Sequence, residues 1–257
     1  MDMTEIISNA VKYPFSDIKT LLIIGIVCLI GSIFGSLNGF TDNSAIVVIG
    51  AIISVIFAII IAGYQLDIIK FGIDLEESMP ALDIKNNFIN GIKNIVVFIV
   101  YYIIPTIIVS ILGFALGGFA IMGLSNFNAT GKTPAEVASA MFTPQVVSGL
   151  SIVIIIAIIL FVLFTLLALM GQCRLAKTGD LGNALSFSQS YNELREIGIG
   201  KTLGLVVLLY IIVCIALLVF FAIMLIPYVG IILVTLFGQS IIMFVQCRSY
   251  GLLYSEL

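Results

Sequence analysis

Few side chains in this sequence could do chemistry. There is no His, which removes imidazole acid–base catalysis, imidazole metal ligation and the usual switch near neutral pH. Asp74, Glu76 and Glu77 form a small carboxylate cluster, and a hard cation such as Ca2+ prefers several oxygen ligands. The cluster lacks the ligand spacing and the glycine of a calcium loop, so it reads as a solvated acidic loop. The four cysteines, Cys28, Cys173, Cys214 and Cys247, form no CxxC pair and no Cys/His cluster. Cys28 and Cys214 fall inside apolar runs and read as small hydrophobes. Cys173 and Cys247 stand at the ends of such runs, either as buried side chains or as reactive or lipidated thiols. Gly131-Lys132-Thr133 matches the end of a phosphate-binding loop but lacks its upstream glycine. No nucleophile–base pair and no dinucleotide fingerprint is present. The residues therefore point away from an enzyme and ask for no cofactor or metal.

The elements that carry these residues follow from composition. Of 257 residues 61% are hydrophobic and 10% charged, against about 25% charged in average soluble domains, and the mean hydropathy is +1.26. A soluble domain of this size cannot hide so much apolar surface, so the chain reads as an integral membrane protein. A helix needs about 20 apolar residues to cross a bilayer. Six runs qualify, roughly 20–37, 46–63, 95–123, 146–171, 203–226 and 228–247. They must be helices, because a lone strand leaves backbone groups unpaired in lipid. The third run contains Pro105 and the pair Gly117-Gly118, the signature of a kinked or broken helix. Pro227 and Tyr228 alone separate the last two runs, which predicts a tight helical hairpin.

Charge sets the orientation. Every Lys and Arg except Lys132 falls on one side of this six-span arrangement, which the positive-inside rule makes cytoplasmic. Both termini are then inside, in the cytoplasmic (plasma) membrane. The N-terminal Met-Asp-Met-Thr-Glu lacks the basic start of a cleaved signal peptide, so the first run reads as an uncleaved anchor. All but two of the acids share the inner side, and the net charge is -3. That balance excludes a polybasic lipid anchor and a nucleic-acid stripe. Asn128-Ala129-Thr130, an N-glycosylation sequon, lies on the outer side. No charged residue lies within a predicted span core, which argues against an ion-coupled pump. Gln239 is the most polar residue in a span, read either as packing glue or as the wall of a substrate path. Gly31, Gly35 and Gly39 recur every four residues and read as close helix packing or a dimer face.

The two inner loops match each other. Lys70 and Gly72 align with Lys177 and Gly179, each 107 residues later, and Gln172-Cys173-Arg174 recurs as Gln246-Cys247-Arg248. Asp67, Arg174 and Arg248 then occupy equivalent positions. They would ring the cytoplasmic mouth, where they pair, grip a lipid headgroup or simply cap helix ends. Ahead of each odd-numbered span lies an amphipathic stretch. Its apolar positions are Ile6, Ile7, Ala10 and Val11; Leu82, Ile84, Phe88, Ile89 and Ile92; or Phe187, Tyr191, Leu194 and Ile197. These predict short helices in the cytoplasmic interface, or cytosolic segments packed on the bundle. The expected architecture is all-α, a polytopic membrane bundle forming a single domain over 1–257. Its six transmembrane helices would form three parallel two-helix repeats (about 1–64, 80–172 and 185–250) with cytoplasmic interfacial helices. Matching loops on one face count against a three-plus-three inverted repeat.

Several short motifs in order carry a resemblance. They are Gly63-Tyr64, Met79-Pro80, Phe88-x-x-Gly91-x-Lys93, Tyr102-x-x-Pro105, Gly179-Asp180 with Ala184-Leu185-Ser186-Phe187, and Arg248-x-x-Gly251-x-x-Tyr254. From about Tyr13 to Tyr254 the chain resembles a largely archaeal family of multi-span proteins catalogued as domain of unknown function 4013. Leu185 departs from the pattern, where an aromatic residue is expected. The resemblance implies class, topology and archaeal origin, and supplies no catalytic residue. The residues themselves favour a non-enzymatic membrane component that contacts lipids, other membrane proteins or a second copy of itself. The alternative is a permease for a neutral or lipidic substrate that uses Pro105, Gly117, Gly118 and Gln239.

Overall fold

The structure, a computed structural model, describes residues 1–115, 144–226 and 229–257. Gly117, Gly118, the sequon at Asn128, Lys132 and the Pro227-Tyr228 turn lie outside the described residues. The described elements are helical throughout: α1 (Met3–Lys12), α2 (Ile18–Gly35), α3 (Ser44–Ile73), α4 (Ile84–Gly113), α5 (Pro144–Thr178), α6 (Leu181–Ala184), α7 (Phe187–Ile197), α8 (Ile199–Met224), α9 (Val229–Leu233) and α10 (Gln239–Tyr254). Polar residues set the starts. Asp2 and Glu5 form a reciprocal capping box on α1, Asp17 accepts from the Lys19 and Thr20 amides of α2, and Asn43 does the same for α3. Gly198, at φ +103°, takes the backbone from α7 into α8, a conformation that costs glycine little.

Five helices are long and apolar enough to cross a membrane: α2, α3, α4, residues Val147–Thr178 of α5, and α8. The sixth expected span is not one α-helix. It is divided among α9, a π-helical turn at Val234–Gly238 and α10. The long helices turn their large apolar side chains outward: Ile46, Val48, Ile49, Ile52 and Val55 on α3, and Val207, Ile211, Leu218 and Val219 on α8. In water such surface is unfavourable, while hydrocarbon is its natural solvent.

The expected short helix over 82–92 is instead the opening of the 30-residue α4. Its apolar stripe faces outward, not into the bundle. Ile84, Ile89 and Ile92 are exposed, while Asn87, Gly91 and Asn94 are buried. In a chain that exposes apolar surface, the small and polar stripe is the one that packs. The inner loop is correspondingly shorter, because α3 runs on to Ile73.

The chain forms two compact units, Met1–Phe98 with Leu169–Leu257, and Ile99–Ala168. In the first, α3 packs against its neighbours through glycines. A Cβ at Gly63 or Gly91 would overlap the carbonyl oxygen of Asn87 or Ile59, so the α3 and α4 backbones touch. Gly72 meets Gly251 of α10 in the same way, and Gly31 and Gly35 of α2 lie against Phe57 and Ser54 of α3. Gly39 meets nothing within 4 Å. Ile6 and Ala10 of α1 are buried in this unit, as is Leu194 of α7.

In the second unit, α4 and α5 run antiparallel. The Tyr102 hydroxyl lies 3.0 Å from Thr165 Oγ1, Tyr102 stacks on Phe161 with ring centroids 6.4 Å apart, and Gly113 approaches Val153. Pro105 sits inside α4, which continues through it. The Thr106 hydroxyl donates to the Tyr102 carbonyl at 2.7 Å beside it.

Gly63→Ala and Gly91→Ala are each expected to destabilise the protein by about 1–3 kcal/mol, the usual cost of overpacking. Gly39→Ala should leave the thermal unfolding midpoint in detergent unchanged. Wild-type midpoints for both buried variants would show that the α3–α4 backbone contact does not hold the unit together.

Candidate functional site

Three charged side chains gather at the polar end of the first unit, each near the C-terminal end of a long helix. Arg248 of α10 is 1% exposed. Its Nε donates to Asn9 Oδ1 at 3.2 Å, and its Nη1 donates to the carbonyls of Phe71 (2.9 Å) and Glu76 (2.6 Å). The guanidinium carbon lies 4.5 Å from the centroid of the Tyr13 ring, within cation–π range. Burial lowers the guanidinium below its ordinary value, and Tyr13 and Glu77 act against that. It stays a cation at any physiological pH. Burial pushes the Tyr13 phenol up to about 12.

Arg174 of α5 is also buried. It makes a two-point contact with Glu193 of α7, through Nε to Oε1 at 2.9 Å and Nη2 to Oε2 at 2.5 Å. Its Nη1 donates to the carbonyls of Asn183 and Ser186 at 2.8 and 3.3 Å. The Tyr254 hydroxyl donates to the same Glu193 Oε1 at 2.8 Å. Burial and then this carboxylate raise the Tyr254 phenol. Asp67 of α3 accepts from Asn87 Nδ2 of α4, whose Oδ1 accepts from the Asp83 amide.

The three candidates therefore do not pair with one another. Asp67 bonds the segment leading into α4, Arg174 bonds α7 ahead of α8, and Arg248 bonds α1 ahead of α2. Of the other candidates, Lys70 is exposed, and Lys177 lies over the Tyr254 ring at 5.4 Å. Glu193, Asn9 and Asn87 went unnoticed at the sequence level because their types differ. Glu193 nevertheless follows Asn87 by 106 residues, within one residue of the loop offset.

The same contacts order the acidic loop. Arg248 holds the Phe71 and Glu76 carbonyls, Tyr13 donates to the Ser78 carbonyl at 2.9 Å, and Tyr64 donates to the Pro80 carbonyl at 2.9 Å. The backbone is thus fixed while Asp74, Glu76 and Glu77 stay exposed. Leu75 holds φ +57° within this loop, a left-handed conformation that disfavours a side chain. Deeper in, Asn94 donates to the Ala62 carbonyl at 2.7 Å and accepts from Gln172 at 3.0 Å. Lys93 Nζ donates to the Gly179 carbonyl at 2.9 Å. Cys173 and Cys247 are buried, which removes the reading of accessible, lipidated thiols.

Gln239 stands elsewhere, directly after the π turn. It borders a crevice of about 310 Å3 between α2, α3 and α10. Pro105 and Gln239 belong to different compact units.

Replacing Arg174 by Met should cost about 3 kcal/mol, because Glu193 is left without its cation. The double variant Arg174→Met/Glu193→Met should recover more than half of that loss. Strictly additive losses in the double-mutant cycle would rule out the coupling. A pH effect is expected at Glu256, whose Oε1 lies 2.7 Å from Lys201 Nζ. Burial alone would raise this carboxyl, but Lys201 and the terminal amine outweigh burial and hold it below its ordinary value of 4.5. A lowered folded value gives stability that is present above the ordinary value and lost as pH falls through the lowered one. Glu256→Gln should flatten the stability profile on that acid side, and an unchanged profile would exclude the linkage.

No curated protein and no solved structure matches the chain. Residues 46–235 match the family described as Protein of unknown function (DUF4013). The matched segment is shorter at both ends than the resemblance read from the motifs, and leaves α1 and the Arg248–Tyr254 motif outside it. With α3, α4, α5 and α8 inside the match, the chain belongs to that family.

Proposed function

We propose that this protein is a non-enzymatic component of the cytoplasmic membrane whose polar end contacts lipid and other membrane proteins. In this reading residues 229–247 complete a sixth span through the π turn. The spans form three parallel two-helix repeats, and both termini are cytoplasmic by the distribution of Lys and Arg. The contacts Asp67–Asn87, Arg174–Glu193 and Arg248–Asn9 support the three-repeat arrangement. Each contact joins the end of one hairpin to the lead-in of the next.

One observation carries the function. All three lead-in segments expose apolar side chains beside cations. Val11, Phe15 and Ile18 flank Lys12 and Lys19. Ile84, Ile89 and Ile92 flank Lys85 and Lys93. Tyr191 and Ile199 flank Arg195. Apolar bodies beside long cationic side chains suit the boundary between hydrocarbon and headgroups. The segments also pack on the bundle through Ile6, Ala10, Asn87 and Leu194, so they contact the bundle and the membrane at once.

Substituting Ile84, Ile89 and Ile92 together by Ser tests this. Native mass spectrometry from mild detergent is expected to show at least half of the retained lipid or partner mass lost, with the unfolding midpoint preserved. Retention equal to wild type would overturn the assignment.

A further inference from the structure

Two glutamine amides lie among the apolar helices of the first unit, Gln65 on α3 and Gln239 at the start of α10. With Cys28 and Ser32 of α2 and Ser54 of α3, they line the crevice of about 310 Å3. Among the described residues neither amide has a hydrogen-bond partner. Gln239 is exposed and Gln65 half-buried, so both amides are open to a hydrogen-bonding occupant, which an apolar setting favours.

The backbone is built to aim one of them. The π turn at Val234–Gly238 ends at Gln239, and one extra residue in a turn rotates everything after it by about 100°. The turn is also held. The Ser240 hydroxyl donates to the Leu236 and Phe237 carbonyls at 3.1 Å each, and Gly25 of α2 leaves room for the Leu236 carbonyl. No charged residue lines the crevice, which gives an ion no counter-charge. Its space equals about ten waters. The amides each donate and accept, and the serines add hydroxyls.

We propose that this crevice binds a small uncharged molecule bearing amide or hydroxyl groups, held by Gln65 and Gln239. The site is independent of the lipid-contacting segments, so either assignment can fail without the other.

Cys28 lines the crevice as a free, buried thiol, so its alkylation reads how far the crevice opens. Full-length protein in nanodiscs is treated with uncharged N-ethylmaleimide, and alkylation of the Cys28 peptide is followed by mass spectrometry. Glycerol, urea and acetamide serve as probes. At least one probe is expected to slow alkylation saturably, by threefold or more. Gln65→Met and Gln239→Met, which keep side-chain length without the amide, should each raise the half-effective concentration at least tenfold while the unfolding midpoint stays unchanged. Three results would overturn the site: no saturable protection by any probe, protection unaltered in the double variant, or no alkylation of Cys28 at all, which would mean a closed crevice.

Discussion

Contact between helix backbones is the constraint on which the rest depends. Lipid tails are as apolar as Leu, so nothing squeezes helices together in a bilayer as water does in a soluble core. Close approach must replace that force, and only small residues permit it. Helix α3 meets α4 at Gly63 and Gly91, and meets α10 at Gly72 and Gly251, each time with backbone against side-chain-free backbone. Side-chain hydrogen bonds between helices in bilayers average only about 0.6 kcal/mol. The Asn94–Ala62 and Gln172–Asn94 bonds therefore trim an arrangement that the glycines have made possible. The outward Ile and Val side chains complete the same logic, since they have no better partner than lipid.

Polar chemistry gathers at one end of the unit, beside the Gly72–Gly251 contact. A buried guanidinium is costly unless every donor finds an acceptor. Arg248 meets that demand with an amide oxygen, two carbonyls and a ring face, and so pins the loop that follows α3. Arg174 bonds Glu193 and two carbonyls, and so pins the turns around α6 and α7. Such pairs add little net stability against an apolar substitute, and their clearer use is to specify one arrangement among several. Here they specify which lead-in segment lies beside which helix end.

Much of this was legible from residue types, and the rest depends on contacts between residues far apart in sequence. Hydropathy marks the long apolar helices because a backbone in hydrocarbon must bond to itself, and α2, α3, α4, α5 and α8 follow directly. The capping residues Asp2, Asp17 and Asn43 sit where capping rules place them. The lead-in of α4 forms no separate short helix, because no proline divides it from the span that follows. Asn87 and Asn94 are inside, and Ile84, Ile89 and Ile92 outside. The last apolar run is helical but interrupted, and nothing in Val-Thr-Leu-Phe-Gly announces its π turn. That turn becomes intelligible only through Gly25 and Ser240, which lie on two different helices. Asn9 and Glu193 were hidden because a loop alignment follows identity, whereas these contacts require only complementarity.

That last point bears on how the proposed repeats diverged without losing their joints. Asp67, Arg174 and Arg248 stand at matching helix ends and differ in sign. Each partner suits the residue it faces: Asn87 donates to the carboxylate, Glu193 accepts from one guanidinium, and Asn9 accepts from the other. Where no carboxylate answers Arg248, carbonyls of the acidic loop and the Tyr13 ring take its place. In the proposed three-repeat reading, what is kept is hydrogen-bond closure between successive hairpins, while charge varies. A bundle whose joints depend on closure can exchange acid for base at one position, provided that the lead-in residue changes with it. An isolated exchange at Arg174 leaves Glu193 and Tyr254 facing each other with no cation, which is the arrangement least able to stay buried.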